Sequence, residues 1–295
     1  MAGVAERFVI PDDLARAART QGRGNWLAEL PALVTRIADG WQLEVGMPFF
    51  PGGATAWVAP ARDGAGQDLV LKVCWAHPEA RHEADGLRTW GGAGAVCLYR
   101  ADELAQATVL LLERCRPGTQ LRASPPAEHD LVIADLLRRL WMSPPPGHCF
   151  RPLSDMCDYW ADRYERRSPS ERSGLETPLA EKGIRLLREL PRDSGEALLL
   201  HTDLHAGNVL AAERERGLAI DPKPYVGDPA YDVTQHIFNG VFVEGADVGA
   251  LASRMACLLD LDLHRILLWL FARAVEASPY WNGMANLALT LDGWI

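Results

Sequence analysis

Lysine is scarce in this chain of 295 residues, although positive charge is not. Of its 30 basic residues only Lys72, Lys182 and Lys223 are lysine. The two basic side chains are not interchangeable, because lysine offers a compact ammonium and arginine a planar fork of donors. A lysine that persists in an arginine-rich chain therefore indicates a position that needs a compact ammonium.

Long apolar runs, C-x-x-C pairs and runs of positive charge are also missing. No segment approaches the ~20 apolar residues of a membrane span, and the N-terminus lacks the apolar core of a signal peptide, so we expect a cytoplasmic protein without a membrane partner. Six scattered cysteines are typical of reduced core thiols and argue against structural zinc. A net charge of −9 argues against a nucleic-acid partner and is compatible with a cationic ligand.

The most informative residues are Asp203, Asn208 and Asp221. Short apolar segments at 197–200 and 218–220 predict strands, so all three polar residues fall at or just beyond strand ends. Phosphoryl transfer needs a group that accepts the proton of the attacking hydroxyl, and cations that neutralise the triphosphate. Asp203 suits the first task, while Asn208 and Asp221 offer the oxygen ligands of Mg²⁺. Each residue alone is typical of a turn, but the whole run has the spacing of a kinase catalytic loop.

Lys72 lies inside an apolar strand pattern, 69–73, where a charge is costly unless it is paired. Glu83 falls eleven residues later on a helix predicted over 77–90. Glu79 lies four residues before Glu83, on the same side of the predicted helix, so either carboxylate could reach the lysine. Such a pair would hold the ammonium against the α- and β-phosphates of a nucleotide. The alternative is a lone lysine that extends to solvent from an edge strand.

Three further residues are candidates for contact with ATP or GTP. Gly52 and Gly53 lie between the first two predicted strands, in the loop that covers the phosphates in kinases. That loop lacks a complete G-x-G-x-x-G, and by itself it is typical of a hairpin turn. Glu113 ends a strand that runs into a predicted linker, where an adenine ring would bond backbone groups.

The two halves of the chain have different periodicities, which indicates an α+β protein. We expect an N-terminal lobe of residues 1–114 and a C-terminal lobe of residues 115–295. The first begins with helices over 1–40, continues with strands and contains one inserted helix, whereas the second is mostly helical. The strands are predicted at 41–45, 54–59, 68–73, 95–99 and 108–112, and the later helices at 127–142, 153–166, 176–190, 245–260 and 262–276.

Several stretches together resemble the aminoglycoside phosphotransferases, most closely the streptomycin 6-phosphotransferases of the aminoglycoside/hydroxyurea antibiotic resistance kinase group. The resemblance spans most of the chain and weakens after about residue 239. It rests on residues 31–34, 86–92, 201–205, 208–215, 218–224 and 227–232.

This resemblance implies a two-lobed protein-kinase-like fold and a magnesium-dependent kinase that inactivates an aminoglycoside, with the 6-hydroxyl of streptomycin as the acceptor. We expect a monomer. The implied roles are a catalytic base at Asp203, Mg²⁺ ligands at Asn208 and Asp221, a phosphate-binding Lys72 paired with Glu83, and a catalytic loop braced by Asp228 and Asp232. The chain departs from the family pattern at Thr202, where glycine is common, and at Lys223, where glutamate is common.

Other interpretations remain open at this point. His201, Asp203 and His205 alternate, so on a strand they would face one way and could bind the metal of a hydrolase, with His236 as a spare ligand. A kinase-fold binding protein without catalysis is a further class, but the joint presence of Lys72, Asp203, Asn208 and Asp221 argues against it. A kinase for another small hydroxylated metabolite or antibiotic stays open, because these motifs specify ATP chemistry and not the acceptor.

Carboxylates in the C-terminal half could bind a cationic acceptor. Asp155, Asp158 and Asp162 share one face of a predicted helix, and Glu276 ends another helix near Trp281. Carboxylates bind guanidinium groups by charge-assisted hydrogen bonds. The alternative for the three aspartates is a solvated helix face.

Overall fold

The computed structural model describes residues 8–168, 171–172 and 174–295. They form two compact units. Residues up to Gly92 and Val96–Gly118 make the first unit, and Ala93–Ala95 and Thr119–Ile295 make the second. The six cysteines are free thiols. Among the described residues no helix has both the length and the apolar character to cross a bilayer.

The first unit is an antiparallel five-stranded sheet, in the order β1-β2-β3-β5-β4, covered by helices. Apolar residues at helical spacing on the second helix, among them Trp26, Leu30 and Val34, share one core with Leu71 and Trp75 of the central strand. Full burial of such a side chain contributes roughly 1.5–3 kcal/mol. The elements are α1 (Asp12–Thr20), α2 (Gly24–Trp41), β1 (Leu43–Val45), β2 (Ala56–Asp63), β3 (Asp68–Trp75), α3 (Glu83–Trp90), β4 (Leu98–Glu103) and β5 (Ala107–Glu113).

The second unit is mostly helical, with a three-stranded sheet in the order β6-β10-β7 and a two-stranded ladder β8-β9. Helix α10 is its most buried helix and packs against α6 and α11. The elements are α4 (Pro126–Leu140), β6 (Arg151–Pro152), α5 (Leu153–Glu165), α6 (Thr177–Glu189), β7 (Leu198–Leu200), β8 (Val209–Leu210), β9 (Leu218–Ala219), β10 (Tyr225–Gly227), α7 (Pro229–Asp232), α8 (Thr234–Glu244), α9 (Val248–Leu259), α10 (Leu263–Ala277) and α11 (Met284–Asp292).

Several predicted boundaries are wrong. Trp41 belongs to α2 and not to a strand, because its side chain continues the buried stripe of that helix. The helix predicted over 77–90 is a 3₁₀ turn, Pro78–Ala80, followed by the shorter α3, so Glu83 opens that helix. Helices α7, α8 and α11 were not predicted, and the first seven residues of the predicted helical region 1–40 lie outside the described residues.

Helices α6 and α10 approach so closely that a side chain at Gly183 would not fit. A Cβ built there lies 2.6 Å from Val275 Cβ and 2.5 Å from its Cγ2. We expect Gly183→Ala to lower the free energy of unfolding by about 1–3 kcal/mol, the usual cost of overpacking.

Gly40 of α2 is the matched control, because a Cβ there meets nothing within 4 Å. Gly40→Ala should be neutral or stabilise by up to about 1 kcal/mol through helix propensity. Urea unfolding of both variants checks the comparison. Equal effects at the two glycines would contradict the close approach of α6 and α10.

Candidate active site

The three polar residues of the central motif lie around two short strands of the second unit. Asp203 follows β7, Asn208 directly precedes β8, and Asp221 lies two residues after the end of β9. The ladder between β8 and β9 is extended by a hydrogen bond of 2.9 Å from Ile220 N to Asn208 O. Asn208 and Asp221 therefore share the same end of this ladder. All three side chains are partly exposed, whereas most of their neighbours are buried.

The loop 201–208 begins with an unusual backbone. Thr202 has φ +58°, in the left-handed region that a β-branched residue rarely adopts. This conformation explains why glycine is favourable at the position, since glycine has no Cβ to clash there. Thr202 Oγ1 donates to Lys223 O at 2.5 Å, a tie that glycine could not make.

Asp232 holds the start of this loop. Its carboxylate accepts hydrogen bonds from His201 N at 2.9 Å, Thr202 N at 2.5 Å and Trp141 Nε1 at 3.1 Å. Asp232 is fully buried, and burial raises its pKa to about 6, although these three hydrogen bonds favour the ionised form. The brace that the resemblance implied is therefore present.

Asp228 anchors the helix that carries Asp232. It caps the N-terminus of α7 by accepting a bond from Ala230 N at 2.9 Å. Its other oxygen accepts from Arg265 Nε at 2.5 Å and Trp269 Nε1 at 2.6 Å, both on α10. The most buried helix of the unit thus fixes α7 and, through Asp232, the loop.

Asp203 is oriented by Asn208 and Lys223. Asn208 Nδ2 donates to Asp203 O at 2.9 Å and lies 3.4 Å from Asp203 Oδ2. Lys223 Nζ forms an ion pair with that same Oδ2. Asp203 thus combines a partly exposed carboxylate with restraint from two neighbouring side chains, and such a carboxylate can accept a hydrogen bond from a hydroxyl placed beside it.

Asn208 and Asp221 have the donor set of a hard cation. The amide nitrogen of Asn208 is engaged by Asp203, which turns the amide oxygen away from that bond. Asp221 adds carboxylate oxygens, and its φ of +57° is tolerated because aspartate adopts the left-handed region more readily than most residues. Carboxylate and carboxamide oxygens are ligands that Mg²⁺ accepts.

His201 and His205 serve the loop and do not share a metal-binding face. His201 Nδ1 accepts from Asp203 N at 3.3 Å, and His205 Nδ1 accepts from Gly207 N at 3.0 Å. Burial lowers the pKa of His201 to about 3 and that of His205 to about 4, so both rings are neutral near pH 7. The left-handed Thr202 breaks the strand alternation on which the hydrolase alternative depended, and the spare ligand His236 is bonded to Asp130 at 2.7 Å.

In the first unit, Lys72 and Glu83 are a buried ion pair. Lys72 Nζ donates to Oε1 of Glu83 at 2.6 Å and to Oε2 at 2.8 Å. The two side chains are only 9% and 2% exposed. Lys72 lies on β3, the central strand, so the alternative of a lone edge-strand lysine is wrong. The side chain of Glu79, the other candidate partner, lies outside the described set.

Two of the three remaining predicted nucleotide contacts, Gly52 and Glu113, have structural roles in the first unit. Gly52 has φ +91°, and a Cβ there would lie 2.7 Å from Pro11 Cβ, so glycine is required whatever the loop binds. Gly53 follows it, ahead of β2. Glu113 Oε2 accepts from Cys97 N at 2.9 Å at the end of β5. Nucleotide contact by these three residues stays a prediction.

The acidic residues predicted to meet a cationic ligand are largely committed to arginines. Asp162 accepts from Arg188 at 2.8 Å, and Asp158 accepts from Arg192 at 2.5 Å. The hydrogen bond from Arg188 holds the pKa of Asp162 below its usual value. The structure therefore does not support Asp158 and Asp162 as an open binding face. Of the three predicted aspartates, only the exposed Asp155 has no arginine partner among the described residues.

Glu276 is likewise committed. It is buried and accepts from Arg163 and from Arg273, each at 2.7 Å. A ligand guanidinium would have to displace one of these arginines, so the expectation that Glu276 is available to a cationic acceptor is wrong.

Sequence comparison places this architecture among known enzymes. The model of the family described as aminoglycoside/hydroxyurea antibiotic resistance kinase matches residues 45–284. Streptomycin 6-kinase of Streptomyces griseus is 35% identical, covering 94% of this chain and 92% of that protein. Hydroxyurea phosphotransferase of Kitasatospora aureofaciens is 33% identical, covering 84% of this chain and 72% of that protein. The resemblance drawn from the motifs is confirmed.

Solved structures confirm the predicted fold class. LicA in complex with AMP aligns with a TM-score of 0.59 at 13% identity, covering 89% of this chain and 96% of that one. Amicoumacin kinase hAmiN in complex with AMP-PNP and Ca²⁺ aligns with a TM-score of 0.54 at 12% identity, covering 83% and 86%. At such low identity these likenesses show the fold alone, which is that of the protein-kinase-like phosphotransferases.

The backbone strain at Thr202 predicts different stabilities for its valine and glycine variants. Thr202→Val keeps the shape and the left-handed backbone but removes the donor to Lys223 O, so it should cost about 1–3 kcal/mol of unfolding free energy. Thr202→Gly loses the same bond but relieves the strain, so its loss should stay below about 1 kcal/mol. Urea unfolding of both variants measures the difference. A glycine variant as unstable as the valine variant would show that Thr202 is not strained.

Proposed function

We propose that this chain, which belongs to the aminoglycoside/hydroxyurea antibiotic resistance kinase family, transfers the γ-phosphoryl group of ATP or GTP to the 6-hydroxyl of streptomycin, with Mg²⁺ as the metal. The observation that carries the proposal is the loop 201–208, which joins Asp203 to Asn208 at the ladder end that also carries Asp221. The name of the Streptomyces griseus relative supports the choice of acceptor.

In the proposed reaction the acceptor hydroxyl oxygen forms a bond to the γ-phosphorus. The bond from that phosphorus to the β–γ bridging oxygen breaks, and the nucleoside diphosphate leaves with the electron pair. Asp203 orients the hydroxyl and accepts its proton. Asn208 and Asp221 would hold Mg²⁺, which neutralises charge on the phosphates when bound. In the first unit, Lys72 would contact the α- and β-phosphates, held for this task by Glu83.

The test is a set of parallel reactions with ATP or GTP and Mg²⁺, followed by mass spectrometry of each acceptor. Streptomycin should gain one phosphoryl group, and NMR should place it on the 6-hydroxyl. Asp203→Asn should lower turnover by about 10²–10⁴, the usual contribution of a general base, with an unchanged melting temperature.

Hydroxyurea and choline are the competing acceptors in this experiment. Hydroxyurea is included because the relative named for it is nearly as similar as the streptomycin kinase. Turnover of one of these compounds without turnover of streptomycin would contradict streptomycin as the acceptor but would still support a kinase. Full activity of Asp203→Asn would overturn the assigned base.

The Lys72–Glu83 pair separates stability from function. Lys72→Met leaves a buried carboxylate without its partner, so it should cost about 3–5 kcal/mol as well as activity. Adding Glu83→Leu removes that carboxylate, and stability should largely recover, because well-packed apolar pairs often replace buried ion pairs without loss.

Activity should not recover in the double variant, since the phosphate-binding ammonium is still absent. Urea unfolding and the rate of ATP turnover provide the two measurements. A double variant that regains both stability and turnover would reduce the pair to a structural element of the first unit.

A further inference from the structure

Lys223 is fixed to the catalytic loop through its backbone. Lys223 N donates to His201 O at 3.0 Å. Lys223 O accepts from Thr202 Oγ1 at 2.5 Å. Hydrogen bonds therefore tie both polar groups of its backbone to the two residues that precede Asp203, and the Lys223 side chain has a fixed origin relative to that aspartate.

The ammonium of Lys223 reaches the carboxylate of Asp203. The two side chains are 27% and 17% exposed, and the ion pair is made through Asp203 Oδ2. Asn208 Nδ2 approaches the same oxygen at 3.4 Å. The charge of Lys223 is also among the causes that lower the pKa of His201 and of His205, after burial.

The identity of the cation matters here because nearly all the other basic residues of the chain are arginine. A guanidinium presents a planar fork that tends to bind both oxygens of a carboxylate, whereas an ammonium is a compact point charge. An arginine bound in that way would cover the carboxylate that must face the acceptor. A lysine can bind one oxygen of the carboxylate and leave the other oxygen uncovered. The single contact still fixes the direction in which that second oxygen points.

We propose that Lys223 is a positioning residue for Asp203, and that its ammonium holds Oδ2 so that the carboxylate is aimed at the acceptor hydroxyl. The inference rests on the proposed role of Asp203 as the base. It gives a function to one of the three lysines of the chain.

The experiment is steady-state kinetics of Lys223→Ala with the acceptor that the parent enzyme phosphorylates. A misdirected base should lower kcat about 10- to 100-fold, since small misplacements of a catalytic group have effects of this size. The KM for the magnesium nucleotide should stay within about threefold, because Lys223 is not assigned to the phosphates.

Chemical rescue distinguishes positioning from a structural role. The site of Lys223 is partly exposed, so small solutes can enter it. Added ethylammonium should therefore raise the kcat of Lys223→Ala about tenfold. Guanidinium at the same low concentration should not, and Lys223→Arg should remain as slow as Lys223→Ala despite its charge.

Lys182→Ala is the matched control. Lys182 also pairs with an aspartate, Asp292, at 2.7 Å, but both side chains are about one-third exposed and lie outside the proposed site. Its kcat should stay within twofold of the parent value, and added amines should not change it. Melting temperatures of all variants show whether they are folded.

Each contrary outcome has its own meaning. Unchanged kcat in Lys223→Ala would overturn the inference. A tenfold higher KM for the nucleotide with kcat retained would assign Lys223 to the phosphates instead. A loss that no amine restores would leave only a structural role. If Asp203→Asn is fully active, or the parent phosphorylates none of the acceptors, the proposed function fails first and this inference fails with it.

Discussion

The candidate site depends on one buried carboxylate. Asp232 accepts hydrogen bonds from the backbone amides of His201 and Thr202, two consecutive residues. The two amides converge on this carboxylate directly before the backbone enters the left-handed conformation of Thr202. Without that acceptor, two buried donors would lose their partner at about 1–3 kcal/mol each, and the hydrogen bonds to the Lys223 backbone would be left to restrain the strained turn.

The anchoring continues into the core. Asp228, at the start of α7, is held by Arg265 and Trp269 of α10, while Asp232 at the other end of α7 holds the loop. Each of these buried carboxylates costs desolvation that an apolar pair would avoid. What the carboxylates provide is direction, because a hydrogen bond restrains orientation and apolar packing does so only weakly. Direction is what phosphoryl transfer requires of a protein, since most of its catalysis is positioning and electrostatics.

Sequence reasoning succeeded where one local rule decides the structure. A lysine in an apolar strand must be paired, and Lys72 does pair with the predicted Glu83. The proximity of Asp203 and Asn208 follows from their spacing on one loop. Sequence reasoning failed where the partner of a side chain is distant in the sequence. Asp158 and Asp162 do share a helix face, but Arg188 of α6 and Arg192 of the 3₁₀ turn after it neutralise much of that charge. Helical periodicity in the sequence does not report a partner on a different element.

Thr202 and Lys223 are one structural unit, because the hydroxyl of Thr202 donates to Lys223 O. A glycine at position 202 would adopt φ +58° without strain but would leave Lys223 O without its hydroxyl donor. Threonine costs strain and fixes the backbone from which the Lys223 ammonium reaches Asp203. The Thr202 hydroxyl holds the Lys223 backbone, and the Lys223 ammonium holds the Asp203 carboxylate. A change at either position therefore alters the effect of a change at the other. Substitutions at the two positions should therefore be non-additive in turnover, and the coupling should disappear when Asp203 is removed.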